Sequence, residues 1–200
     1  MRVFVAESRY LCDMIKEKIM IRAARRDDAS LIAQVVIMAI GGDPATHPIY
    51  PLFLELAARE FSQYSFRNAL VAQVGSESVG AIVGYDGDRL KELREPIFDL
   101  YKEHFGRDLH IEDETEGGEF YLDSVAVLPN YQELGIGAKL LSTMRDKAFD
   151  EGFERVGLLV DWDNPRAEKL YNSLGFERVN ETLFLGHKMW HMQAVSNRDI

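Results

Sequence analysis

Cysteine is almost missing from this chain: Cys12 is the only one in 200 residues. An intramolecular disulfide framework and a multi-cysteine metal site are therefore both excluded. The five histidines, His47, His104, His110, His187 and His191, do not fall at metal-ligand spacings and no His-Glu-x-x-His pattern occurs, so no metal is implied. Positive charge is also scarce. With 23 Lys and Arg against 33 Asp and Glu, the formal net charge is −10. That disfavours duplex nucleic acid as a partner, because such binders need a basic surface to displace counterions, and it suits a cationic small substrate. An acidic balance also serves simply to keep a protein soluble. Long apolar runs are absent as well: the longest, Leu31 to Ile40, contains Gln34 and is too short to cross a bilayer. Residues 1–20 carry Arg2, Glu7, Arg9, Asp13, Lys16, Glu17 and Lys18, which breaks up any signal-peptide core. Neither Gly (15) nor Pro (6) is enriched and no repeat period is visible. The expectation is a single cytoplasmic domain with no membrane segment.

What is present is an alternation of strand and helix patterns. Ile19 to Ala23 reads as a strand. Asp27 or Asp28 then caps a helix with Leu31, Ile32, Val35, Val36 and Ala39 on one face, ended by Gly41-Gly42-Asp43-Pro44. A second helix is expected from Pro51 to Gln63, with Phe61 on its apolar stripe. A hairpin follows, Asn68–Val74 and Val79–Tyr85 around Gly75-Ser76-Glu77-Ser78, and then a helix over 86–105. The acidic segment His110 to Glu119 reads as a solvated loop that also stands where it would attract a cation. Phe120 to Leu128 is the clearest strand and Ile136 to Glu151 the clearest helix. A strand at Val156–Val160, a helix at Pro165–Leu174 and strands at 177–185 and 188–194 complete a mixed α/β (α+β) sheet. On strand alternation, Tyr121, Asp123, Val125 and Val127 share one face of 120–128, and Phe120, Leu122, Ser124 and Ala126 the other.

Two stretches carry chemistry. In Gln132-Glu133-Leu134-Gly135-Ile136-Gly137-Ala138, a strand runs through a two-glycine loop into a helix. The backbone N–H groups from Glu133 to Ala138, at a helix N-terminus, form a cradle for a pyrophosphate. Gly135 tolerates unusual φ there, and Gly137 removes a Cβ from the path of the phosphates. A dinucleotide fingerprint would need a third glycine where Leu140 stands, and the P-loop pattern is absent. The second stretch is Asn164-Pro165-Arg166-Ala167-Glu168-Lys169-Leu170-Tyr171-Asn172-Ser173-Leu174-Gly175-Phe176. Here Asn164 is an N-cap, Pro165 the first helical residue and Gly175 the terminator. This explains every residue without a ligand, just as the glycine loop alone would suit a plain strand-turn-helix junction.

Taken together, the two stretches resemble the Gln/Arg-x-x-Gly-x-Gly/Ala signature and the Asn-x-x-Ala-x-x-Leu-Tyr-x-x-x-Gly-Phe segment of the Gcn5-related N-acetyltransferase (GNAT) superfamily. The element order matches over residues 19–194, leaving 1–18 as an N-terminal extension. The resemblance implies acetyl transfer from acetyl-CoA to an amine by direct attack, with no covalent enzyme intermediate and no metal. It implies that Val125, Ala126 and Val127 bind the pantetheine arm through their main chain, with Val125 N–H as oxyanion donor. Gln132, Glu133, Leu134, Gly135, Ile136, Gly137 and Ala138 would hold the pyrophosphate, and Asn164 would also touch the cofactor. Gln132 stands where the family often has Arg and brings no charge. Tyr171 is the implied general acid for the departing thiolate, and Asp123 and Glu119 are the nominated bases. Each has a plainer reading, as a core tyrosine bonded to a carbonyl or as solvated carboxylates. The acceptor is expected to be a small-molecule primary amine, and a homodimer is expected by analogy. A protein or peptide acceptor, or a coenzyme-A-binding sensor without activity, stay open alternatives.

Overall fold

The structure, a computed structural model, describes residues 19–196. The expected extension 1–18, and Cys12 with it, lies outside the described residues. One sheet contains β1 (Ile19–Ala23), β2 (Ala69–Val74), β3 (Glu77–Asp86), β4 (Phe120–Val127), β5 (Arg155–Asp161), β6 (Glu177–Phe184) and β7 (His187–Val195), in the order β1-β2-β3-β4-β5-β7-β6. Every neighbouring pair is antiparallel except β4 and β5. Flanking it are α1 (Ala29–Ala39), α2 (Tyr50–Ala58), α3 (Leu90–Phe105), α4 (Ile136–Asp150) and α5 (Pro165–Ser173). The expected mixed, mostly antiparallel sheet and its element order are both present. Among the described residues no helix is long and apolar enough to cross a membrane.

Helix α4 buries Ile136, Leu140, Leu141, Met144 and Ala148 against one face of the sheet, where Leu122, Val156, Leu158, Phe176 and Met192 meet them. The opposite face takes α1, α2 and α3 through Ile32, Val36, Ile37, Leu52, Leu56, Ile97 and Leu100. Each such side chain, fully buried, stabilises the fold by about 1.5–3 kcal/mol.

Four expectations need correction. First, α2 stops at Ala58 instead of continuing to Gln63, and Phe61 is 45% exposed. Serine hydroxyls replace the helix: Ser62 Oγ donates to Leu56 O (2.9 Å) and Ser65 Oγ to Arg59 O (2.6 Å). Such side chains offer the backbone an alternative to the helical ladder. The Gln63 N–H bonds Leu93 O (2.7 Å) and its side chain enters the interior. Second, β3 begins at Glu77, so the hairpin turn is Gly75-Ser76 alone. Third, the alternation along β4 does not persist. Val83 pairs with Ser124 and Gly84 with Leu122, which leaves Asp123 as an extra residue in a bulge. Tyr121 faces α3, as expected of Asp123's side, but past the bulge Val125 and Val127 join Phe120 and Leu122 beneath α4.

The acidic loop is also less solvated than expected, because Glu114, Thr115 and Glu119 are buried. Arg94 of α3, only 3% exposed, holds it by ion pairs to Glu114 and to Asp113 Oδ1 (2.8 Å) and by a bond to Glu112 O (3.3 Å). Replacing Arg94 with Ala strands a buried carboxylate, and the expected loss is about 3–5 kcal/mol, read from urea denaturation. Gly157 of β5 sits against Glu119, where an added Cβ would come within 1.8 Å of Oε2. Gly157→Ala is therefore expected to lose about 2 kcal/mol in the same measurement.

Candidate active site

Strands β4 and β5 share only two residue pairs, Phe120 with Val156 and Tyr121 with Gly157. Beyond them β4 bonds only to β3, and β5 only to β7. The sheet is thereby divided into two halves joined at one end, and among the described residues the edge of β4 from Leu122 to Val127 lacks a partner strand on its β5 side. At the far end of that edge the chain enters α4. Glu133 (φ 65°) and Gly135 (φ 81°) both take left-handed backbone, which turns successive N–H groups toward one side. Gly135 is the N-cap and supplies no side-chain cap, so the first N–H groups of α4 have no intrahelical acceptor. A Cβ added at Gly137 would meet nothing nearer than Val127 Cγ2 at 4.0 Å, and one at Gly135 nothing at all. The residues fit a pyrophosphate: backbone N–H groups without an intrahelical acceptor stand at the start of α4, and the space beside Gly135 and Gly137 is open. Gln132 Nε2 donates to Val127 O (3.1 Å), at the end of β4. Asn164 caps α5, its Oδ1 accepting from Ala167 N (3.1 Å), as its sequence context predicts.

The structure gathers around Asp123 a set of residues that the sequence did not single out. Asp123 Oδ2 accepts from Gln63 Nε2 (2.7 Å) and from the Tyr85 hydroxyl (3.1 Å), while Oδ1 accepts from Ser124 Oγ (2.6 Å). The same Gln63 Nε2 and Tyr85 hydroxyl reach Glu114 Oε1 at 2.6 and 2.7 Å. Two carboxylates thus share two donors, and Arg94 pairs with one of them directly. Desolvation dominates at Asp123 and raises its pKa above the usual aspartate range, against the hydrogen bonds of Ser124, Gln63 and Tyr85. Tyr64, Tyr85 and Tyr121 close the surroundings. All three phenols are pushed well up, first by burial and then by the charge of Asp123.

Glu119, the other nominated base, is 2% exposed and fully engaged. It accepts from Thr115 Oγ1 (2.8 Å) and Gln193 Nε2 (2.7 Å) and meets His191 Nε2 at 3.0 Å. Burial pushes its pKa up, but the bonds from His191 and Gln193 outweigh this, and the net shift is downward. His191, whose place on a late strand allowed it to face the acceptor cleft but which was not counted among the site residues, meets Asn180 Oδ1 through Nδ1 (3.0 Å). Tyr171 packs edge-on to Phe176, with ring centroids 6.2 Å apart, and burial raises its pKa. Its hydroxyl bonds no other described residue, unlike a core tyrosine tied to a carbonyl, and it lies close enough to Tyr121 to perturb that phenol.

One signal for the missed residues was present. Leu90, Leu93, Arg94, Ile97 and Leu100 are all buried on α3, so Arg94 interrupts an apolar stripe at helical spacing. The chain's side of the shared-donor pair was not readable, since Gln63, Tyr85, Glu114 and Asp123 come from four separate segments.

Comparison with known proteins addresses the family and the fold. The family model described as "Acetyltransferase (GNAT) family" matches residues 42–176. A thialysine N-epsilon-acetyltransferase of Mus musculus is 26% identical over 167 residues, 81% of this chain and 86% of that protein. The N-alpha-acetyltransferase RimI of Mycobacterium tuberculosis is 30% identical over 167 residues, 82% of this chain and 81% of that protein. A crystal structure described as that of an acetyltransferase superposes with a TM-score of 0.75 at 34% identity, covering 88% of this chain and 98% of the other. The chain belongs to the acetyltransferase (GNAT) family and is an acetyl-CoA-dependent N-acetyltransferase.

Proposed function

We propose that the protein acetylates a primary amine of a small, cationic molecule by direct attack on the thioester, with Asp123 as the base and Tyr171 as the acid. The observation that carries this reading is the carboxylate of Asp123, its proton affinity raised by burial, beside Tyr64, Tyr85 and Tyr121 at the bulge of β4. Aromatic faces and a carboxylate together favour an ammonium group. Acetyl-CoA, when bound, supplies the activated acetyl group. Val125 to Val127 present main-chain groups along the unpaired edge, with Val125 N–H directed at the carbonyl oxygen as oxyanion donor. Backbone N–H groups from Glu133 to Ala138 hold the pyrophosphate, Gln132 fixes the end of β4, and the Asn164 amide completes the cofactor wall. Glu119, with its lowered pKa, serves to orient His191 in preference to acting as base. The small-molecule acceptor is supported by the thialysine acetyltransferase relative.

A peptide N-terminus is the second reading, favoured by the 30% identity to RimI. The proposal includes a cytoplasmic location and a homodimer. Support for the dimer is that β6 is an edge strand, with Val179, Leu183 and Leu185 each more than half exposed.

The test is coenzyme A release from acetyl-CoA with a panel of thialysine, lysine, polyamines, aminoglycosides and short peptides. Release with a small cationic amine but not with peptides is expected, and the reverse pattern overturns the acceptor class. Tyr171→Phe is expected to lower kcat about 100-fold with the acetyl-CoA affinity kept. Gly137→Ala is expected to leave the melting temperature nearly unchanged, since the added Cβ meets nothing nearer than Val127 Cγ2 at 4.0 Å, and to weaken acetyl-CoA binding at least about tenfold by calorimetry.

A further inference from the structure

Amide formation from an ammonium releases one net proton. The nitrogen loses two: the base takes one so that the lone pair can form the N–C bond. The other ends on sulfur as the C–S bond breaks, with Tyr171 giving its phenol proton and regaining one from nitrogen. The proton on the base must then reach solvent before the next turnover. The inference that follows rests on Asp123 being that base.

Asp123 is walled in by Tyr64, Tyr85 and Tyr121, by Gln63 and by Ser124. One of these neighbours connects it to a second proton acceptor. The Tyr85 hydroxyl, itself buried, lies 3.1 Å from Asp123 Oδ2 and 2.7 Å from Glu114 Oε1. A phenol so placed accepts on one side while it donates on the other, which Gln63 cannot do, because an amide nitrogen only donates. Gln63 instead holds the two carboxylates in register through bonds of 2.6 and 2.7 Å. Glu114 is paired with Arg94, which also binds Asp113, and the Asp113 side chain is 49% exposed. Arg94 thus bridges Glu114 to Asp113, and Asp113 marks where this path meets solvent.

We propose that Tyr85 and Glu114 form a proton exit for Asp123. As the carboxyl proton of Asp123 moves to the Tyr85 oxygen, the phenol proton moves to Glu114 Oε1, and Glu114 then releases it to water beside Asp113. Tyr85 carries no net charge at the end, and no oxidant or co-reactant is needed. The route gives the buried network a task that structural support alone does not require: two carboxylates flanking a single hydroxyl.

The test compares one turnover with many, using the panel amine turned over fastest. With enzyme in excess over acetyl-CoA, each enzyme molecule turns over once and no proton has to leave before a second turnover. Tyr85→Phe and Glu114→Gln, each first checked by circular dichroism and thermal melting, are expected to slow the single turnover much less than they slow steady-state turnover. Their steady-state kcat is expected to fall at least about tenfold after a burst of one equivalent of coenzyme A, with added imidazole restoring the rate of Tyr85→Phe. Equal slowing of single and multiple turnovers would mean that Tyr85 only positions Asp123, and would overturn the exit. Unchanged steady-state rates in both variants would overturn it as well. Asp123→Asn separates the two readings: it should slow the single turnover itself, and if it does not, the assignment of the base fails while the variants at 85 and 114 report on their own.

Discussion

The short ladder between β4 and β5 is the constraint on which the rest of the molecule depends. Two residue pairs join the halves of the sheet, and beyond Tyr121 and Gly157 each strand is bonded on one side only. A peptide edge left unpaired inside a protein is costly unless something else bonds to it. Here part of the edge is satisfied by Gln132 at Val127 O, and the remainder lies beside the cradle at the start of α4. The Asp123 bulge belongs to the same arrangement. One extra residue in β4 turns Val125 and Val127 under α4 while Asp123 reaches Tyr85 and Gln63 on the opposite face. On the proposed reading, cofactor edge and acceptor chemistry meet at a single defect in one strand.

The second theme is how an acidic chain keeps carboxylates inside. Burying a carboxylate costs several kcal/mol unless it is bonded or paired. Two solutions stand side by side on β4 and the loop before it. Glu119 is surrounded by donors, and its proton affinity falls. Asp123 has as many hydrogen-bonding partners, but there desolvation outweighs them, and its proton affinity rises. The two environments push a pair of nearby carboxyl groups apart, a division that suits one to hold charge and the other to exchange protons. Arg94 makes the arrangement tolerable by neutralising Glu114, and in doing so it ties α3 to the loop that leads into β4.

What could be read from the sequence was local. The caps at Asn164 and Gly135, the apolar stripes of α1 and α4, and the glycine loop depend on residues within a turn of one another, so short-range spacing determines them. The end of α2 was misjudged for a related reason: Ser62 and Ser65 compete for backbone carbonyls, and an apolar periodicity that runs through Phe61 conceals that competition.

The sequence by itself determined the family, the element order, the helix N-terminus that fits a pyrophosphate and the identity of Tyr171 and Asp123 as chemical groups. Only the tertiary structure decided what those groups are next to. Gln63, Tyr85, Arg94, Glu114 and His191 reach the site from a loop after α2, from β3, from α3, from the acidic loop and from β7. No spacing rule links them, because hydrogen bonds and desolvation act across space and carry no trace of chain separation. The proton affinities of Asp123 and Glu119 belong to the folded state for the same reason: both are carboxylates in the sequence, and it is their surroundings that make them differ.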